Sequence, residues 1–344
     1  MFTNKTILIA PLDWGFGHAT RCVPIIRELQ KNNKIILGVT PLTSTILEEE
    51  FPQLPKISLP EYKIRYSTFL PLWLKLIFDS RRISKVIKAE KDLTNEIIEK
   101  NKIDVVISDN RFGLYSKKTH SVFITHQLFL KSPFVYFAQN INKNYILNFN
   151  EVWVPDFENE AESLSGELSH GIHFHKKVKY IGPKSRLQKT DGEKKYDYLF
   201  LLSGPEPQRS IFKNLLVEKV IKYPNLNFAM VSPEPTKTDF KNIQTFISPS
   251  QKNLSEIICA SHKIICRSGY STLMDLYFLE KKEIILVPTP GQTAVPAPAP
   301  ASAPGFSPRG SLNAIGLLFT YPYKFNPPAS SMGSRLIHRP NSAL

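Results

Sequence analysis

Ile264-Ile265-Cys266-Arg267-Ser268-Gly269-Tyr270-Ser271-Thr272-Leu273-Met274-Asp275 passes from an apolar, β-prone run through Ser-Gly into a stretch of helical character. A strand that turns into a helix this abruptly leaves free backbone N–H groups at the helix start, where an oxyanion or phosphate is stabilised. Asp275 falls one turn into the helix. Its carboxylate there can accept both hydroxyls of a ribose, or simply complement the helix dipole.

Outward from this stretch the same alternation repeats. In the second half, strands are expected at 198–202, 227–231, 244–247, 263–266 and 283–287, with helices at 210–222, 254–260 and 271–279. In the first half the expected strands are 6–10, 34–39, 104–108, 121–125 and 151–154, with helices at 18–30 and 83–100. Residues 178–182 restart the pattern and lead through Pro183 to a polar linker at 189–195. Short apolar strands separated by helices imply parallel sheets covered on both faces. The expected fold class is therefore α/β, with two Rossmann-like domains facing a cleft, at 1–175 and 176–293.

From residue 294 the character changes. Residues 294–304 are only Ala, Pro, Val and Ser, and the remainder to 344 holds no acidic residue. Such a composition suits an extended or disordered segment. The segment 294–344 is read as a tail that does not continue the fold, arising from an altered reading frame, an appended segment or natural disorder.

Two further loops follow expected strands. Asp13-Trp14-Gly15-Phe16-Gly17-His18-Ala19-Thr20-Arg21 opens a helix; Gly15 and Gly17 permit close backbone approach, and His18 reaches the cleft mouth. An imidazole there can take a proton from an acceptor hydroxyl, or can merely cap the helix. Ser203-Gly204-Pro205-Glu206-Pro207-Gln208-Arg209 offers backbone donors and an arginine fork for phosphate oxygens, or a stiff turn with a solvated arginine.

Cys266-Arg267-Ser268-Gly269 with Thr272 and Asp275 resembles the nucleotide-binding region of the bacterial lipid-linked N-acetylglucosaminyltransferases that complete the peptidoglycan precursor. The Gly-His ending of the first loop and the position of Gln208-Arg209 are similar to that family too. The order of the three segments matches the wider GT-B glycosyltransferase superfamily from residue 6 to 293, and Tyr180-Ile181-Gly182-Pro183 resembles a less-characterised branch of it.

The resemblance implies metal-independent, inverting transfer of a hexose or N-acetylhexosamine from a UDP-sugar, with no cofactor besides that co-substrate. His18 would be the base. Arg209, Ser268 and Gly269 would hold the diphosphate, Phe246 and Ile247 would border the uracil, and Asp275 would bind the ribose. Gln292 would touch the donor sugar, while Gly15, Gly17, Asp109, His126 and Gln127 would line the acceptor side. For Asp109 and His126 the alternative is a polar group satisfied at a strand end. The acid and further glutamines that the family places after the last strand have no counterpart here, which leaves an impaired nucleotide binder as an alternative reading. A UDP-sugar epimerase or hydrolase on the same fold is another.

Bulk properties bound the rest. Of 344 residues, 42% are hydrophobic and 22% charged, enough for a substantial core. The three cysteines, Cys22, Cys259 and Cys266, form no metal-type pair and read as reduced thiols. No uncharged apolar run of about 18 residues occurs, so no spanning helix is expected. Residues 1–10 read as a first strand and not as a secretory signal, which points to the cytoplasm. The net charge of +14 suits a diphosphate ligand or an anionic membrane surface. No zinc finger, basic helical arm or RNA-binding aromatic signature accompanies it, so no specific nucleic-acid partner is expected. The aromatic stretch 64–78, followed by Arg81-Arg82, is either a peripheral membrane contact that meets a lipid-linked acceptor or a buried helix with a solvated basic end.

Overall fold

Strand β1 (Thr6–Pro11) is apolar along its length, and its last five residues are buried. Alternate side chains explain why both faces need cover. Ile7 and Ile9 join Ala19, Val23 and Ile26 of helix α1 (Phe16–Leu29) on one face. Leu8 and Ala10 face Ile97 and Ile98 of helix α3 (Leu72–Asn101) on the other. Each of the Ile, Leu and Val side chains among them, fully buried, contributes about 1.5–3 kcal/mol. The computed structural model describes residues 2–64, 72–130, 135–170, 177–204, 206–235 and 240–287. All of them belong to one compact unit, Met1–Gly310. The tail and Gln292 lie outside the described residues.

The first sheet also contains β2 (Lys34–Val39), β3 (Lys56–Ser58), β4 (Val105–Asp109), β5 (His120–Ile124), β6 (Glu151–Val154) and β7 (Val178–Tyr180). Its order is β3-β2-β1-β4-β5-β6-β7, with every pair parallel. The second comprises β8 (Tyr196–Leu201), β9 (Phe228–Ser232), β10 (Ile243–Ile247), β11 (Ser261–Cys266) and β12 (Ile284–Leu286), parallel in the order β10-β9-β8-β11-β12. Helices α6 (Gln208–Val220), α7 (Gln251–Cys259) and α8 (Tyr270–Phe278) link its strands, and the short α5 (Glu167–His170) precedes β7 in the first sheet. The α/β class and the two parallel sheets agree with the expectation.

Strand order reverses between β1 and β4 in the first sheet, and between β8 and β11 in the second. Crevices open at the carboxyl ends of strands at such switch points, and ligands of open α/β sheets bind there. The end of β4 and the segments that follow β1, β8 and β11 carry Asp109, His18, Arg209, Ser268, Gly269 and Asp275, all expected from sequence.

Some elements differ from the reading. Helix α2 (Pro41–Glu50) was not expected; Thr40 caps it through the Thr43 N–H, and the Thr43 hydroxyl accepts from the Thr40 N–H in return. The short strand β3 and helix α4 (Val135–Ile146) were likewise unforeseen. Strand β7, read as opening the second half, pairs with β6 in the first sheet. Val178 and Tyr180 pack there on the cluster of Tyr115, Phe123 and Phe149.

Gly113, just past β4, lies against the backbone of α3. A Cβ at this position would overlap the Ile87 carbonyl oxygen and crowd the Glu90 Cβ. Because a helix backbone cannot swing aside, Gly113→Ala is expected to destabilise the fold by about 1–3 kcal/mol. Urea unfolding measures this; an unchanged midpoint overturns the packing argument.

Candidate active site

Gly15 caps α1 at φ +88°, a backbone region that favours glycine, and this turn sends the chain from the end of β1 into the helix. Gly17 is small for a different reason. A Cβ there would overlap the Ser271 Oγ of α8, which donates to the Gly17 carbonyl at 3.1 Å. Next to it, the Tyr270 hydroxyl donates to the Pro155 carbonyl at 2.6 Å, and its ring stacks on His126 at 4.1 Å and 11°. The start of α8 is thus docked onto loops of the first sheet. Gly17, expected on the acceptor side, lies at this contact.

Behind this contact lies a charged cluster. The ring Nδ1 of His18 is 2.9 Å from the Asp109 Oδ1, and Asp109 is wholly buried. Arg21, buried one helical turn beyond His18, forks onto that carboxylate: Nε donates to Oδ2 at 2.6 Å, and Nη2 to Oδ1. The same guanidinium lies 2.8 Å from His18 Nδ1 and 3.2 Å from His126 Nδ1. Burial works against the Asp109 charge, but Arg21 and then His18 hold its carboxyl well below the usual range. Burial, reinforced by Arg21, lowers both histidines from their ordinary value, His126 strongly. Burial and the Asp109 charge push the neighbouring Cys22 thiol up.

His18, Asp109 and His126 were expected at this cleft, and Arg21 draws them together. Asp109 was expected to face an acceptor; it cannot, because both of its oxygens are committed inward. His126 is mostly covered by Tyr270, whereas the neighbouring Gln127 is exposed. His18 keeps 15% of its side-chain surface open, and its Nε2 bonds to no described residue. Arg21 itself escaped the sequence reading. Its one signal there is its spacing, a basic residue three positions after His18 at the start of a buried run that continues with Cys22, Val23, Ile25 and Ile26.

Across the cleft, Ser268 and Gly269 end the β11 turn half-buried at the N-terminus of α8, whose first N–H groups point out of the helix. Arg209 is already held by carboxylates, at 2.8 Å from Glu206 and 2.6 Å from Glu234. Arg267 is buried and donates to the Ser203 carbonyl at 3.2 Å; its guanidinium fills the space a side chain at Gly204 would need. At the end of β10, Phe246 turns inward to pack edge-on against Tyr196, while Ile247 is 51% exposed. Phe246 is half-buried, and Ile247 presents the larger open apolar surface of the pair. Asp275 accepts from the Ser185 hydroxyl at 2.5 Å, and burial pushes its carboxyl up to about 6 against the opposing effects of Ser185 and Arg186.

Phe78 is 69% exposed, and much of the aromatic stretch before it lies outside the described residues. Among the described residues, no helix is long and apolar enough to cross a membrane.

No protein-family model and no curated protein sequence matches the chain. Solved structures do resemble it. UGT89C1 of Arabidopsis thaliana, solved with UDP-L-rhamnose, shares 11% identity at a TM-score of 0.56, over 84% of this chain and 80% of that one. A candidate UDP-N-acetylglucosamine 2-epimerase from Listeria monocytogenes shares 12% identity at 0.56, over 85% and 81%. The spinosyn rhamnosyltransferase SpnG shares 12% at 0.53, over 82% and 80%. At such identities the likeness is one of architecture, and with the two parallel sheets it gives this chain the GT-B fold.

Proposed function

We propose that the chain transfers a hexose or N-acetylhexosamine from a UDP-sugar to a hydroxyl of a glycan or lipid-linked acceptor, with inversion and without a metal. The observation that carries this reading is the His18–Asp109 contact at 2.9 Å, which leaves His18 Nε2 open toward the cleft. The carboxylate orients the ring and stabilises the imidazolium as it forms, as in any base–carboxylate pair. The acceptor oxygen bonds to the anomeric carbon as the bond from that carbon to the diphosphate oxygen breaks. The hydroxyl proton passes to His18 Nε2, and the electron pair leaves with the diphosphate.

Negative charge accumulating on the leaving group meets the N-terminus of α8 beside Ser268; Gly269 lines this turn with its N–H already given to the Arg267 carbonyl at 2.8 Å. Arg209 would join them by exchanging one of its carboxylate partners. Ile247 would border the base, with Asp275 on the ribose. The fold likeness to proteins solved with UDP-L-rhamnose and with thymidine diphosphate supports a nucleoside diphosphate ligand. The exposed Phe78, followed by the exposed Arg81, supports peripheral contact with an anionic membrane carrying a lipid-linked acceptor.

Asp275→Ala is expected to weaken UDP binding by about 1–3 kcal/mol through lost charge-assisted hydrogen bonds. The pH dependence follows from the raised carboxyl. As pH falls through about 6, Asp275 takes up a proton, loses acceptor strength and binds UDP more weakly. Asp275→Asn flattens that limb. Calorimetry of UDP binding between pH 5 and 8 checks both, and equal affinity in wild type and variants removes Asp275 from the site. A second reading, sugar epimerisation or release, draws on the equal likeness to the Listeria protein. It requires turnover of the UDP-sugar with no acceptor present, whereas transfer requires one.

A further inference from the structure

We propose that Arg21 is a positioning residue that holds His18 and His126 in opposite neutral tautomers, so that His18 Nε2 accepts a proton from the cleft while His126 Nε2 donates one to it. The role of the cleft in this statement rests on the reading of His18 as the base; the tautomers themselves do not.

A guanidinium has only hydrogens to give. Its Nη1 lies 3.2 Å from His126 Nδ1, so that nitrogen must present a lone pair, and the neutral ring carries its proton on Nε2. A carboxylate can only accept. Asp109 Oδ1 lies 2.9 Å from His18 Nδ1, so that nitrogen carries the proton, and the lone pair of His18 is left on Nε2. Arg21 Nη2 lies 2.8 Å from this Nδ1 as well, but the ionised carboxylate is the stronger acceptor, and both donors converge on its Oδ1. Neither Nε2 bonds to a described residue, and neither is sealed from solvent.

Arg21 sets this pattern because it is tied down on every side. The first turns of α1 fix its spacing from His18, its Nε and Nη2 grip both Asp109 oxygens, and only Nη1 remains for His126. It also keeps the buried carboxylate ionised, without which His18 would lose its acceptor. The charged and titratable groups around the two rings are few. Asp109 comes from β4, Arg21 and Cys22 from α1, Asp13 from the loop before α1, and Tyr270 from α8, with Asp156 beyond it. Cys22 and Tyr270 are held neutral by burial, so Arg21 is the cation that a protonated His126 would face directly. The result is a matched pair: a ligand hydroxyl that gives its proton to His18, beside a second ligand oxygen that receives one from His126.

Ring ¹⁵N NMR of the full chain labelled at histidine reads this directly, with His18 and His126 assigned through H18Q and H126Q. The expected wild-type result is Nδ1–H for His18 and Nε2–H for His126, both titrating below the ordinary histidine value of about 6.5. In R21K, which keeps the charge but cannot fork to three partners, His126 is expected to average between tautomers. An Nδ1–H tautomer for His126 in the wild type, or an unchanged pattern in R21K, overturns the proposal. Should R21K fail to fold, the wild-type tautomers decide alone. The base reading fails separately: a His18→Ala enzyme that keeps its turnover removes that role and leaves the tautomer assignment standing.

Discussion

His18→Ala is expected to lower sugar transfer by about 10²–10⁴-fold, the usual contribution of a positioned general base. UDP affinity should hold within about twofold, since this ring makes no contact on the uridine side of the proposed site. The substitution is a clean one for a reason visible in the cluster. Arg21 already engages both Asp109 oxygens, so deleting the imidazole does not strand a buried charge. Asp109→Ala would be harder to interpret, because it leaves the Arg21 guanidinium buried and without its carboxylate, a defect worth about 3–5 kcal/mol of stability. Release of UDP with a sugar acceptor present, followed alongside calorimetry of UDP binding, separates the two effects. Full turnover in His18→Ala would falsify the base assignment, and a collapse of UDP affinity would place His18 on the donor side instead.

Much of the architecture is legible locally because parallel strands covered on both faces must be apolar at successive positions, not alternate ones. The run Ile7-Leu8-Ile9-Ala10 is readable as β1 for that reason, as are Val105-Val106-Ile107 in β4 and Ile264-Ile265-Cys266 in β11. Glycine-bearing turns after such strands are legible too, and they do fall at the two switch points. Partnerships between distant residues leave no such trace. Nothing near Asp109 announces that an arginine 88 positions earlier takes its carboxylate. The distant partner Glu234 that occupies Arg209, and the inward turn of Phe246 beside the exposed Ile247, are likewise properties of packing. Local chemistry does leave a mark at α2, where Thr40, Pro41 and Thr43 form a capping sequence that hydrophobic periodicity alone passes over. The two glycines of the first loop look alike in sequence, yet Gly15 is required by its backbone angle while Gly17 faces the Ser271 side chain of α8.

The largest loss of stability is expected from Arg111→Met. Arg111 is wholly buried between β4 and α3, with Nε 2.5 Å from the equally buried Glu90. Its other nitrogens donate to the Pro11 and Pro60 carbonyls, and Asp13 lies 3.7 Å away. Glu90 Oε2 accepts from the Tyr62 hydroxyl at 2.5 Å and from the Gly113 N–H at 3.2 Å. One ion pair therefore anchors the end of β1, the segment 60–62 and the loop after β4. Removing the arginine leaves the carboxylate without its counter-charge, at a cost of about 3–5 kcal/mol.

The pH dependence of the variant identifies the mechanism. Burial already pushes Glu90 up while Arg111 restrains it, so losing Arg111 raises its folded pKa further. A carboxyl raised on folding binds more protons in the native state than in the unfolded chain, so the variant should lose stability as pH rises above the ordinary carboxyl range and regain it on acidification. In the double variant Glu90→Gln with Arg111→Met no charge is stranded, and part of the loss should return, an interaction that a double-mutant cycle in urea reads directly. Additive losses with no pH dependence would mean that Arg111 acts through its volume and carbonyl contacts, and that the ion pair contributes nothing of its own.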